Sequence, residues 1–123
     1  MAFDWTQYLI LARTLGSESG ESSLRSAISR AYYAAFKTAE HFCKRNGFPP
    51  TDTGRTHQDV WDAFLNKGGK TFTSVHEKGM RLMRKRVKSD YRTQAVIASP
   101  MVQDSLRDSY AILSYLGANP PPP

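Results

Sequence analysis

Basic residues crowd one stretch of this 123-residue chain: Lys78, Arg81, Arg84, Lys85, Arg86, Lys88 and Arg92 fall within fifteen positions whose only acid is Asp90. Cations at this density suit phosphate, which Arg and Lys contact on nucleic-acid backbones with little base selectivity. On a helix of about 3.6 residues per turn they must divide between faces. Arg81, Arg84, Lys85 and Lys88 recur at spacings of three and four and form a solvent-side stripe, with Arg92 beyond it. That stripe reads either as an ordinary solvated face or as a phosphate surface. Arg86 is placed differently, because it continues the apolar seam Phe72, Val75, Gly79 and Leu82 by one more step of four. Asp90, one turn later, is its natural ion-pair partner at (i, i+4). Such a pair also leaves room for a guanidinium that faces a cleft and receives phosphate, since an acid can orient an arginine without abolishing its charge.

Other chemistries find less support. His41, His57 and His76 have no second His or Cys three to five residues away, so a metal site is not expected. His57 falls near a helix start, where capping or solvent contact is the ordinary role, and His41 and His76 read as surface groups. There is no G-x-S-x-G elbow, P-loop or G-x-G-x-x-G, and no cofactor is implied. Cys43 is the single cysteine and reads as a small apolar helix residue. Tyr32, Tyr33 and Phe36 read as core or dimer packing ahead of a base-stacking platform. The net charge of +6, from 17 Lys+Arg against 11 Asp+Glu, points to an anionic partner: RNA, DNA, a nucleotide or an acidic protein. No segment has the roughly 18 apolar residues of a membrane span, and the N-terminus lacks signal-peptide features, so a cytoplasmic protein is expected.

These side chains must be held by helices, since no strand-like alternation occurs anywhere and apolar residues recur at three and four. A first helix is predicted over 4–16, with Trp5, Tyr8, Ala12 and Leu15 on its apolar face, Asp4 as cap and Gly16 at its end. The longest helix, 21–46, carries the seam Leu24, Ile28, Ala31, Ala35, Thr38 and Phe42 and stops at Asn46-Gly47 before Pro49-Pro50. A short helix over 57–66 holds Val60, Trp61, Phe64 and Leu65, and Gly68-Gly69 separates it from the basic helix, 70–90. Ser99-Pro100 opens the last helix as N-cap and first helical residue, with the stripe Val102, Leu106, Tyr110, Leu113 and Leu116, and Gly117 closes it. The expectation is one all-α domain over 1–117, an antiparallel bundle of four to five helices, followed by a Pro-rich flexible tail, 118–123.

Two strings resemble a known family. The stretch from Arg25 to Phe36, R-S-A-I-S-R-A-Y-Y-A-A-F, is similar to the long-helix signature of HEPN domains, in the small stand-alone subfamily with an R-A-Y-Y-A-x-F core. The stretch from Arg86 to Tyr91, R-V-K-S-D-Y, resembles that subfamily's second signature, R-x-x-A-D-Y. Order, separation and the short middle helix with His57 and Phe64 agree over roughly residues 5–117. The resemblance implies a HEPN-type bundle, commonly a homodimer, in which two such arginines meet across a two-fold axis. It implies an RNA- or nucleotide-binding role in a prokaryotic toxin–antitoxin or antiviral defence module, either as a metal-independent endoribonuclease toxin or as a catalytically inactive accessory subunit. Its partner would be an MNT-type nucleotidyltransferase, which can add nucleotides to a tyrosine of the toxin, or another defence-system protein. Carried onto this chain, Arg86 contacts phosphate, Asp90 orients it, and Tyr91 is a hydroxyl donor or modification target. Arg81, Arg84, Lys85 and Lys88 steer the anion. The chain departs from the nuclease pattern in one respect: no histidine follows Arg86.

Overall fold

The structure, a computed structural model, describes residues 3–120. Five α-helices make up the described chain: α1 (Thr6–Gly16), α2 (Glu21–Arg45), α3 (Thr56–Lys67), α4 (Lys70–Tyr91) and α5 (Ser99–Tyr115), with no strand among the described residues. The short turns between α1 and α2 and between α3 and α4 reverse the chain. α2 touches all four other helices, α4 is flanked by α2, α3 and α5, and α1 closes against α2 and α5. This bundle contains a core running through Leu9, Ile28, Tyr32, Trp61, Phe64, Val75, Leu82 and Ile112, all buried.

The central position of α2 explains its breadth of burial. Besides Leu24, Ile28, Ala31 and Ala35, it buries Ala27, Tyr32, Ala34, Phe36, Ala39 and Cys43, since a helix with neighbours on several sides has no single stripe. In α1 the buried residues are Thr6, Leu9, Ala12 and Gly16, so only Ala12 of the anticipated face lies at its centre. Trp5, Tyr8 and Leu15 sit at the margin, half-buried, where an aromatic ring can pack while its polar edge stays wet. Leu65 of α3 also points outward and is exposed.

The helix ends follow local chemistry with two adjustments. Asp4 does serve the start of α1, though from outside the N-cap position, with its Oδ1 accepting from the Thr6 N–H (3.0 Å) and the Thr6 hydroxyl (2.6 Å). Ser99 does not cap α5: Ala98 holds the N-cap position, no side chain bonds there, and Pro100 lies in the first turn. Gly68 and Gly69 both take positive φ, 81° and 98°, which lets α3 turn into α4 in two residues. At the other end, the Ala118 N–H still bonds Leu113 O (2.9 Å) and Ala118 packs on the core, so the first residue assigned to the tail is held. Pro121, Pro122 and Pro123 of that tail lie outside the described residues.

A close approach of backbone to ring fixes α3 on α4. A Cβ at Gly79 would fall 2.2 Å from the Trp61 ring, so the indole lies directly on the α4 backbone. Trp61 in turn donates its indole N–H to the Tyr32 hydroxyl (3.2 Å), tying α3 to α2 as well.

Candidate functional site

Arg86 occupies the seam position that its spacing dictates, and its side chain is 13 % exposed. Nε donates to Asp90 Oδ2 (3.0 Å), the (i, i+4) partner on the same helix. Nη2 donates to two phenol oxygens, Tyr33 on α2 (2.8 Å) and Tyr91 at the end of α4 (3.2 Å). The guanidinium also lies against the rings of Tyr33, Tyr91 and Tyr32, at 5.2, 5.3 and 5.8 Å from their centroids. Asp90 Oδ2 additionally accepts from the Ser29 hydroxyl at 3.3 Å. An arginine has five N–H donors. Three are committed here, and the Nη1 pair has no bond to the described residues.

A histidine reaches this cluster from another helix. His57, in the first turn of α3, stacks on Phe36 (centroids 4.3 Å) and lies 6.0 Å from the Tyr33 ring. It is half-buried and neither caps a helix nor faces open solvent. Its Nδ1 is 2.8 Å from the Tyr32 hydroxyl. Tyr32 is fully buried and already accepts the Trp61 N–H, so its own proton needs an acceptor, which is His57 Nδ1. The neutral imidazole therefore carries its proton on Nε2. Burial, then the Arg86 charge, hold the His57 pKa below the ordinary histidine value. Burial pushes Tyr32 far above the ordinary tyrosine value.

The solvent-side stripe divides. Arg81 is bidentate to Asp108 of α5, with Nε–Oδ2 3.1 Å and Nη2–Oδ1 2.8 Å. Lys85 Nζ lies 3.9 Å from the same carboxylate. Two of the anticipated phosphate cations thus join α4 to α5 around a buried acid. Arg84, Lys88 and Arg92 are exposed. With Arg81 and Lys85 they surround Met83 and Val87 in a shallow, open concavity of about 500 Å³. Arg84 and Lys88 each lie two residues from Arg86, about 200° away around the helix, so the basic face and the Arg86 cluster are separate surfaces.

Arg25 has a role its sequence does not announce. Its Nη1 donates to the carbonyls of Lys88 (3.3 Å), Ser89 (2.9 Å) and Arg92 (3.2 Å), and Nη2 to that of Ala95 (2.8 Å). A guanidinium therefore caps the C-terminus of α4, where the macrodipole favours a cation, and adds to the backbone bonds that the Lys88 and Arg92 carbonyls already accept. Glu21, one turn earlier on α2, accepts from the same group (3.0 Å). This clamp holds the turn of α4 that carries Asp90 and Tyr91. Only the Glu21–Arg25 spacing is visible locally; the carbonyls lie 63 to 70 residues away. His76 is likewise more than a surface group, with Nδ1 at 2.9 Å from Trp61 O, while His41 is exposed.

Among the described residues no group of three or more His, Cys, Asp or Glu side chains could hold a metal ion, and no helix is long and apolar enough to cross a membrane. No protein-family model matches the chain, and no match is found among curated proteins or among solved structures.

Proposed function

We propose that this chain is a HEPN-type protein that binds RNA or a nucleotide through phosphate, with Arg86 as the anion contact, acting as a homodimer in a prokaryotic toxin–antitoxin or defence module. The observation that carries the reading is the Arg86 guanidinium. Asp90, Tyr33 and Tyr91 fix its plane while its Nη1 donors stay uncommitted, an arrangement prepared for an acceptor that arrives from outside. Arg84, Lys88 and Arg92 supply the field that draws an anion in. Tyr91 is 66 % exposed, accessible to a nucleotidyltransferase partner of the MNT type as a modification target.

A second reading, the catalytically silent accessory subunit, is favoured by His57. Cleavage of RNA without metal needs a group that takes a proton from the ribose hydroxyl. The Nδ1 of His57 is occupied by Tyr32 and its Nε2 already bears a proton, so this imidazole suits donation to an anion better than proton abstraction.

The deciding experiment incubates end-labelled single-stranded RNA with the protein in the presence of a chelator, and follows binding by anisotropy and cleavage on gels. Cleavage that disappears in Arg86→Ala supports the endoribonuclease. Binding without cleavage, weakened in Arg86→Ala, supports the silent module. Unchanged binding in a folded Arg86→Ala protein overturns the phosphate role.

A further inference from the structure

The outer side of α2 carries exposed Ser26 and Arg30 and half-buried Tyr33 and Lys37 at spacings of four, three and four, a single stripe on a helix. Three of these residues meet aromatic rings or cations from neighbouring helices. The Arg30 guanidinium lies over the Tyr8 ring of α1 (5.1 Å), Lys37 Nζ over the Trp5 ring (5.8 Å), and Tyr33 under Arg86 (5.2 Å). Phe3, Trp5 and Tyr8 form an edge-to-face trio with centroids 4.9 to 5.7 Å apart, and Phe3 is 49 % exposed. Cations paired with rings therefore run across the surface from α1, over α2, to Arg86 and Tyr91. Three carboxylates border it, and all are engaged: Glu40 with Lys37 (3.4 Å) and Lys44 (3.9 Å), Asp90 with Arg86, and Asp4, beside Phe3 and Trp5, with the Thr6 N–H and hydroxyl. Arg30 has no carboxylate partner among the described residues.

We propose that this α2 stripe, flanked by the Trp5–Tyr8 rings on one side and Arg86–Tyr91 on the other, is a track for single-stranded RNA, with bases against the rings and phosphates on Arg30, Lys37 and Arg86. The proposal rests on the RNA reading above and extends the Arg86 contact along α2 rather than over the basic face of α4. The chemistry selects a single strand. A base stacks on an aromatic ring only when unpaired, whereas a purely cationic face takes duplex and single strand alike. Arg30 to Lys37 spans seven residues, ~10 Å of helix axis. An acidic protein segment would use the cations and leave the rings idle.

The test uses the full chain and a labelled oligouridylate, with its duplex with oligoadenylate of equal length and polyglutamate as comparisons. The chain has two tryptophans, and Trp61 is fully buried, so quenching by RNA reports on Trp5. The expected result is quenched Trp5 emission, preference for the single strand, and binding about tenfold or more weaker in Arg30→Ala/Lys37→Ala, with the salt slope reduced by about 1.4 for two lost phosphate contacts. Both substitutions lie on the helix surface, and a circular dichroism spectrum like the parent's verifies folding. Three results overturn the proposal: binding retained in that variant but lost in Arg84→Ala/Lys88→Ala, which leaves the RNA reading standing on α4; polyglutamate bound as tightly as RNA, which assigns the face to an acidic protein; and no RNA bound by the parent protein, which removes the RNA reading itself.

Discussion

Arg86 shows how one side chain can satisfy a packing seam and a charged site together. Its aliphatic stem continues the row Val75, Gly79 and Leu82, while its head finds one carboxylate, two phenols and three ring faces. Removing a partner from a fully buried ion pair costs about 3–5 kcal/mol. With Arg86 13 % and Asp90 26 % exposed, the cost here is smaller. Arg86→Ala is expected to lose about 2–3 kcal/mol, through the rings and phenols as much as the charge. Asp90→Asn, which keeps an acceptor for Nε, is expected to lose about 1 kcal/mol. Urea midpoints at unchanged m-value measure both, and an equal, large loss in the two variants would make Asp90 the whole reason for Arg86. His57 gives a pH signature. Its pKa is held below 6.5 by burial and Arg86, so the folded state resists its protonation. Its contribution to stability is complete above that value and declines as pH falls below it. The urea midpoint of His57→Gln should therefore fall less than that of the parent protein between about pH 6.5 and pH 5. A parallel decline in both would show that His57 titrates freely.

At the scale of elements, the placement of α3 decides whether His57 can reach the Arg86 cluster at all. α3 is held by Trp61, whose ring occupies the space a side chain at position 79 would need. Gly79→Ala must push the indole or the helix, an overpacking expected to cost about 2–3 kcal/mol. The same displacement breaks the chain Trp61–Tyr32–His57, so the near-ultraviolet tryptophan signal should change along with the melting temperature. A stable variant with an unaltered spectrum would mean that α3 is not held this way. α4 is fixed at its other end by Arg25, one side chain of α2 that bonds four carbonyls of the last turn and the loop after it. Spacing locates each of these helices to within a residue or two and puts Arg86 on the inner side. It does not disclose that Arg81 would turn to Asp108, because that bond depends on how α5 lies along α4.

The whole molecule presents two cationic surfaces with different surroundings. The face of α4 carries exposed Arg84, Lys88 and Arg92 around Met83 and Val87; the α2 side carries Arg30, Lys37 and Arg86 among aromatic rings. Exposed charges contribute little to stability, so Arg84→Glu/Lys88→Glu should shift the unfolding free energy by no more than about 0.5 kcal/mol. On the proposed RNA reading its effect belongs to association: slower RNA capture at low salt, and a difference from the parent that shrinks as the Debye length falls below about 8 Å. Stopped-flow anisotropy across a salt series measures this, and a salt-independent difference would overturn the steering role. The sequence by itself determined what depends on near neighbours: the helices, the apolar seam, the buried Cys43, and the Arg86–Asp90 pair one turn apart. Periodicity is a property of a single helix and needs no knowledge of the others. The partners that give Arg86 its setting, Tyr33 on α2 with His57 on α3 beyond it, were decided by tertiary structure alone. They depend on the rotation and height of one helix against the next, which the Trp61–Gly79 contact and the Arg25 clamp set, and a shift of one residue along any helix would turn those side chains elsewhere.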